Sequence, residues 1–279
     1  MKRMFMLLLS LLLISSFTAF GQYYQSNPGV GNINWTDQVI RATGIGAPNP
    51  NMPPGAQRAG AIEAAKTVAL RNLLQMVKGM YIDSKTTVEN AMVTSDRIET
   101  QVSGIVRNFR IVDTRYMSTG DIEVDVEVPL SSFYEILAEL PGGLPPAGQP
   151  SPYGPGTGMP SGTPQSAIYT GLVVDASGLG ARPALAPKIL DETGNEVYGT
   201  GYVSREYAVQ VGVVGYDKDL TRARANERVT GNPLVFKALR ATGQNKTDIV
   251  ISNQDAEVIR SAAANLNFLQ QCKVMIVLD

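Results

Sequence analysis

Residues 141–164 read PGGLPPAGQPSPYGPGTGMPSGTP, with eight prolines, seven glycines and no charged side chain. Proline lacks the backbone donor that a helix or an interior strand requires, and glycine loses the most conformational entropy on ordering. A stretch so composed holds no regular element and buries little, so 141–165 reads as a flexible, partly extended linker. It divides the 279-residue chain into a part at 22–140 and a part at 166–279. Each is long enough for a modest core of its own.

The first 21 residues stand apart from both. Lys2 and Arg3 precede an apolar run, Met6 to Ile14, broken only by Ser10, and Ala19 and Gly21 form a small-residue site before Gln22. This is the pattern of a cleaved signal peptide. A membrane anchor would need about 20 apolar residues, and the run is shorter than that. No cysteine stands at the cleavage site, so nothing there is open to lipidation.

Composition then removes whole classes of chemistry. The chain carries 24 basic against 25 acidic residues, no histidine, and one cysteine, Cys272. Loss of Lys2 and Arg3 tilts the balance further toward acid, which argues against a nucleic-acid binder. Histidine-based triads and the usual zinc sites are excluded, as is an intrachain disulfide. Cys272 opens CKVMIVL, whose apolar residues on both faces predict a central strand, and a lone cysteine there reads as core.

In the first part, Trp35, Val39 and Ile40 suggest a short docking strand. The stretch 56–79 predicts a helix, with Ala59, Ile62, Ala69, Leu73, Met76 and Val77 near helical spacing and small alanines that allow close approach to a sheet. The segment to about Asn90 reads as a strand, and a short helix capped by Ser95 follows. GIVRNFRIVDTRYM and DIEVDVEVPL then form a hairpin about Gly120. In its second strand Ile122, Val124, Val126 and Val128 face one way and Glu123, Asp125 and Glu127 the other. Three carboxylates on one face could hold a cation. They read instead as a solvated face neutralised by Arg107, Arg110 or Arg115. SSFYEILAEL closes the part as a helix.

The second part opens with a strand, AIYTGLVVDA, followed by SGLGARPALAP. Gly178 and Gly180 match the start of a dinucleotide fingerprint, but Pro183 stands at its third glycine and Pro187 blocks the phosphate helix, so no nucleotide is expected. The stretch reads as a strand, a glycine turn and an extended segment, then a hairpin about 192–194. YAVQVGVVGY, NPLVFKAL and KTDIVIS read as strands, with a charged short helix in DKDLTRARANERV. Ser252 with Asp255 forms a capping box for a helix whose face is Ala256, Ile259, Ala263 and Leu266. The fold class is α+β: two small domains, each a mainly antiparallel or mixed sheet with packed helices, the second open to a mixed α/β form.

No catalytic, cofactor-binding or metal-binding residue emerges. The candidates for interaction are Tyr169, Leu172, Asp175 and Arg182. Tyr169 and Leu172 lie in AIYTGLVV, which lacks the charge, proline or bulge that blunts an edge strand. It would pair either with a neighbouring molecule or inside its own sheet. Asp175 and Arg182 are the polar residues most open to a specific role, and turn capping is the simplest one for Asp175.

RATGIGAPNP, AAKTVALRNLLQMVKG and GIVRNFRIVDTRYMSTGDIEVDVEVPL together resemble the surface lipoprotein family typified by the Helicobacter twenty-kilodalton lipoprotein. They also resemble the N-terminal domain of the flagellar H-ring protein FlgT. The likeness covers about 35–140 and rests on Gly44 and Gly46, on Ala61, Ala64, Ala65 and Ala69, and on Gly104, Val106, Asp113, Val124, Val126, Pro129 and Leu130. The second part resembles segments of uncharacterised exported proteins of this type. The resemblance implies a non-enzymatic structural or interaction protein of the cell envelope, exported to the periplasm, the outer membrane or beyond. Its partners would be envelope proteins or its own copies, with peripheral association with the outer membrane, and without nucleic acid, nucleotide or cofactor. Two other classes compete: a peptide- or glycan-binding module, and a hydrolase using carboxylates such as Asp175 and Asp191. Mass spectrometry of protein extracted from the envelope is expected to find Gln22, or its cyclised form, at the N-terminus; a retained Met1 would refute the leader.

Overall fold

The structure, a computed structural model, describes residues 22–146, 169–261 and 267–279. The leader, the linker from 147 on, and Ala263 and Leu266 lie outside the described residues.

Strands β1 (Tyr24–Asn27), β2 (Gly31–Asn34) and β3 (Val39–Gly46) lead into the long helix α1 (Pro54–Lys78). Helices α2 (Val88–Thr94) and α3 (Asp96–Arg107), the hairpin of β4 (Arg110–Tyr116) and β5 (Ile122–Pro129), and a 3₁₀ helix at Leu130–Glu139 complete the first half. The strands form one antiparallel sheet in the order β1-β2-β3-β5-β4.

Pro54 starts α1 at the position where a missing N–H costs nothing. The face it buries is Ala61, Ala65, Ala69, Leu73, Met76 and Val77, a stripe at four-residue spacing. Ala59 and Ala64 are exposed and Ile62 only half-buried, which corrects the expected face. The cause is contact with β3. A Cβ on Gly44 would collide with the backbone of Ala65 and Ala69, and one on Gly46 with the backbone of Ala61 and Ala65. The helix lies directly on the strand because both surfaces are small.

Ile122, Val124, Val126 and Val128 are buried beneath this layer, as their alternation requires. Ser95 caps α3 through the N–H of Ile98. The strand expected up to Asn90 is not formed. Asp83 Oδ1 accepts from the N–H groups of Lys85 and Thr86 at 2.7 and 2.8 Å, turning the chain, and Thr87 caps α2. A single bridge, Tyr81 to Thr87, is what remains of the strand.

The second half runs β6 (Leu172–Asp175), β7 (Ile189–Leu190), β8 (Glu196–Tyr198), α4 (Arg205–Val211), β9 (Gly215–Asp217), α5 (Leu220–Ala225) and β10 (Leu234–Lys237). It continues through β11 (Arg240–Thr242), β12 (Asp248–Val250), α6 (Asn253–Ser261), α7 (Asn267–Gln270) and β13 (Val274–Val277). One sheet is wholly parallel, in the order β10-β6-β13-β9. The other, β11-β12-β7-β8, mixes parallel and antiparallel pairs. The α+β class holds. β13 is buried along its whole length between β6 and β9, as its two apolar faces require. NPLVFKAL yields β10, an edge strand only partly buried. The first half of YAVQVGVVGY is helix α4 rather than strand: Gly212, at φ 79°, ends the helix, and β9 begins only at Gly215.

The halves share one hydrophobic core. Trp35 meets Tyr216 edge-on at 5.6 Å between ring centroids. The N–H groups of Leu185 and Ala186 donate to the carbonyls of Tyr81 and Ile82 at 3.0 and 2.7 Å. Leu144 is buried and Gly142 O accepts from Thr200 Oγ1 at 2.8 Å, so the start of the proline-glycine run docks rather than burying little. Replacing Gly44 with Ala is expected to destabilise the protein by about 3 kcal/mol through overpacking against helix backbone. Gly104→Ala, on α3 with open space around it, should instead stabilise by about 0.5–1 kcal/mol. Chemical denaturation of both variants checks the contrast.

Candidate functional site

A cleft of about 530 Å³ lies where the halves meet. One wall is the β2–β3 turn, Thr36 to Gln38. Asn34 fixes this turn: its Oδ1 accepts from the N–H groups of Thr36 and Asp37 at 3.1 and 2.9 Å, and its Nδ2 donates to Asp37 at 2.7 Å. The opposite wall is α4, with Tyr207, Gln210 and Val211, and the floor is Tyr216 and Met275. Tyr207 and Val211, one helical turn apart, are both exposed.

Arg228 holds the second-half side together. Its guanidinium donates to the carbonyls of Gly212 and Cys272 at 3.1 and 2.8 Å, and to that of Val211. It thus satisfies carbonyls at the end of α4 and ties them to the turn before β13. Tyr216 Oη donates to Ala184 O at 2.9 Å and accepts from Ala184 N at 3.0 Å. Burial raises the pKa of its phenol well above the ordinary value. The cleft therefore offers amides, aromatic edges and the ends of charged side chains.

The sequence candidates do not converge on it. Leu172 is fully buried in β6, between Leu234 on β10 and Val274 on β13. The edge considered for AIYTGLVV is therefore absent, because β6 has a parallel neighbour on each side. Tyr169 is half-buried against the core. Asp175 Oδ1 accepts from the N–H and hydroxyl of Ser177 at 3.1 and 2.5 Å, the turn-capping role. Arg182 donates to Tyr81 Oη at 2.7 Å with its guanidinium 5.8 Å from that ring's centroid. It clasps the two halves. No helix follows the Gly178–Gly180 turn before β7.

The carboxylates are spent on structure. Asp191 is buried and accepts from Thr193 N and Oγ1, Asn195 N and Nδ2, and Arg260 Nη2. Burial opposes its ionisation, but the bonds from Thr193, Arg260 and Asn195 outweigh burial and hold the carboxyl far below the usual range. On the hairpin face, Glu127 accepts from Arg41 and Arg110, and Arg115 serves Asp113, Glu123 and Asp125. Burial likewise works against ionisation of Asp125 and Glu127, and their arginine partners lower both. Two of the three arginines expected there, Arg110 and Arg115, take part, and Arg41 of β3 joins them. Burial pushes the Cys272 thiol up to about 12 despite Arg228 nearby, so it is an inert core group.

Sequence reading missed Tyr207, Gln210, Arg228 and the β2–β3 turn, which come together only through the packing of the halves. The one local signal was Ser204 before α4, a helix-start residue.

The fold and site thus define an α+β protein in which Asp125, Glu127, Asp175 and Asp191 are engaged in structure. Among the described residues, no three His, Cys, Asp or Glu are grouped to hold a metal, and no helix is long and apolar enough to cross a membrane. Residues 32–129 match the family model of the LPP20 lipoprotein. Residues 171–279 match the model of the second domain of Treponema pallidum Tp0624. No curated protein matches the chain. The two matched spans fall on either side of the linker.

Asp191→Asn is expected to cost about 2–3 kcal/mol, because Arg260 loses its buried partner. The wild-type carboxyl has a lower pKa folded than unfolded, so its contribution is complete above about pH 4, the unfolded value. It fades as pH falls toward the folded value. Denaturation from pH 7 to pH 2 should show the gap between wild type and variant closing below about pH 4.

Proposed function

We propose that the protein is a non-enzymatic structural or interaction protein of the bacterial cell envelope, acting through surfaces rather than through bond-making chemistry. The observation that carries this reading is the fate of the groups that could have done chemistry. Asp175 and Asp191 hold turns, the hairpin carboxylates are matched by arginines, and the single thiol is buried and protonated. The likeness of the first half to a lipoprotein family supports placement at the envelope, and a peripheral outer-membrane or flagellar-base assembly is the finer form of the proposal. Crosslinking in the native envelope, followed by affinity purification, should return a discrete complex containing this chain. A chain recovered only as the free monomer would count against the reading.

The cleft favours a second reading, a module for short peptides or glycans. Exposed Tyr207 beside Gln38, Gln210 and Gln271 is a surface on which sugar rings stack and amides bond. Calorimetric titration with oligosaccharide and peptide fragments of the cell wall is the check. Saturable binding weakened about tenfold by Tyr207→Ala would carry this reading, and its absence leaves the first one standing.

A further inference from the structure

Strand β4 is an outer edge of the five-stranded sheet. All its residues are exposed except half-buried Thr114. Helix α1 packs on β3 and β5 and touches β4 through Arg58, whose guanidinium lies 5.0 Å from the centroid of the Tyr116 ring; Ile111, Val112, Tyr116 and Met117 are 45, 39, 58 and 45% exposed. Arg110, Asp113, Arg115 and a register shift at Ile111/Asp113 blunt this edge against indiscriminate pairing, but its outward backbone groups have no strand partner in the sheet, so it accepts an added strand whose charges match its own.

The ladder fixes which backbone groups are available. Met117 N donates to Asp121 O at 2.9 Å. By the alternation of an antiparallel pair, Arg115 and Asp113, opposite Glu123 and Asp125, turn their peptide groups toward β5, while Thr114 and Tyr116 turn theirs outward. The N–H of Thr114 agrees: its acceptor is the Asp113 carboxylate at 2.8 Å rather than a carbonyl of β5.

Charge selects among the symmetric registers open to a second copy. A two-fold axis at residue 113 sets Asp113 against Asp113 of the other copy, and an axis at 115 sets Arg115 against Arg115. An axis at 116 sets Arg115 against Met117 and pairs no charges. An axis through Thr114 sets each Asp113 against the other copy's Arg115, and each Val112 beside the other's Tyr116. Within one chain Arg115 Nη1 already bonds Asp113 Oδ2 at 2.7 Å, so two copies close a ring of four alternating charges.

We infer that β4 is a self-association edge, joined antiparallel to β4 of a second copy about a two-fold axis through Thr114, so that the two sheets become continuous. This deepens the proposed function by naming a partner, and it rests on that reading. The register shift between Ile111 and Asp113 ends the regular edge, so the ladder is short and the association weak and reversible.

The test uses the intact chain. Thr114→Cys should form a disulfide-linked dimer under mild oxidation, since directly opposed hydrogen-bonded residues have Cα atoms about 5.5 Å apart, within disulfide range. Cys272 is buried and silent. Asp113→Cys and Arg115→Cys should not crosslink alone but should do so when mixed. Thr114→Pro removes only an outward donor and should leave the melting temperature near wild type while abolishing self-association in sedimentation. Should that variant fail to fold, the exposed Asp113→Lys gives the same readout, with dimer affinity lowered at least about tenfold. A wild-type chain monomeric at about 1 mM, or a dimer that crosslinks through Asp113→Cys alone and not through Thr114→Cys, overturns the inference. A monomer would leave the proposed function itself to the envelope crosslinking above.

Discussion

The contact on which the first half depends is that of Gly44 and Gly46 with the backbone of Ala61, Ala65 and Ala69. A helix normally rests on a sheet through layers of large side chains. Here the layer is missing at the centre, and α1 sits on β3 backbone to backbone. That draws the larger residues at the ends of the contact, Leu73, Met76 and Val77, into the core beside Trp35 and Ile40. It also sets how far α1 can reach across the sheet. The helix covers β3 and β5 closely and meets the last strand, β4, through Arg58 over the Tyr116 ring, so the largely exposed edge is a consequence of the close central fit.

The seam between the halves is built differently. The loop at 81–86 has no regular structure of its own, yet it supplies carbonyls to Leu185 and Ala186 and, through Ser84, to Asn245 N at 3.0 Å. Trp35 and Tyr216 seal its centre, and Arg182 grips Tyr81 from outside. A buried loop must have its polar backbone satisfied, and here the other half of the chain does so. This is why the hydrophobic core runs through both halves, with Leu144 at the start of the linker buried in it.

What could be read in advance follows from how local its cause is. The alternation in DIEVDVEVPL, the Ser252–Asp255 cap, with Asp255 N donating to Ser252 Oγ at 3.0 Å, the Asp175 turn and the hairpin at 192–194 each depend on neighbours in sequence, and each was legible. The stripe of α1 was displaced to Ala61, Ala65 and Ala69 because the glycines of a distant strand decide which face approaches. YAVQVGV fits a strand by its valines and a helix by Tyr207 and Val211, and the context of the cleft resolved it. The parallel order β10-β6-β13-β9 left no mark in the sequence, since nothing in these short strands specifies which neighbour each will take. The cleft was invisible for the same reason: its walls come from segments more than 160 residues apart.

The position of β13 sets a timetable. The strand that comes last in the chain is an inner strand of the parallel sheet, flanked by β6 and β9, which precede it by roughly 100 and 60 residues. Until it arrives, β9 has no partner in that sheet and β6 has only β10. Pairings over such separations form slowly. A chain that emerges N-terminus first must therefore hold β6 and β9 without their inner neighbour until β13 is available, and the 81–86 loop waits for its partners at Leu185 and Ala186.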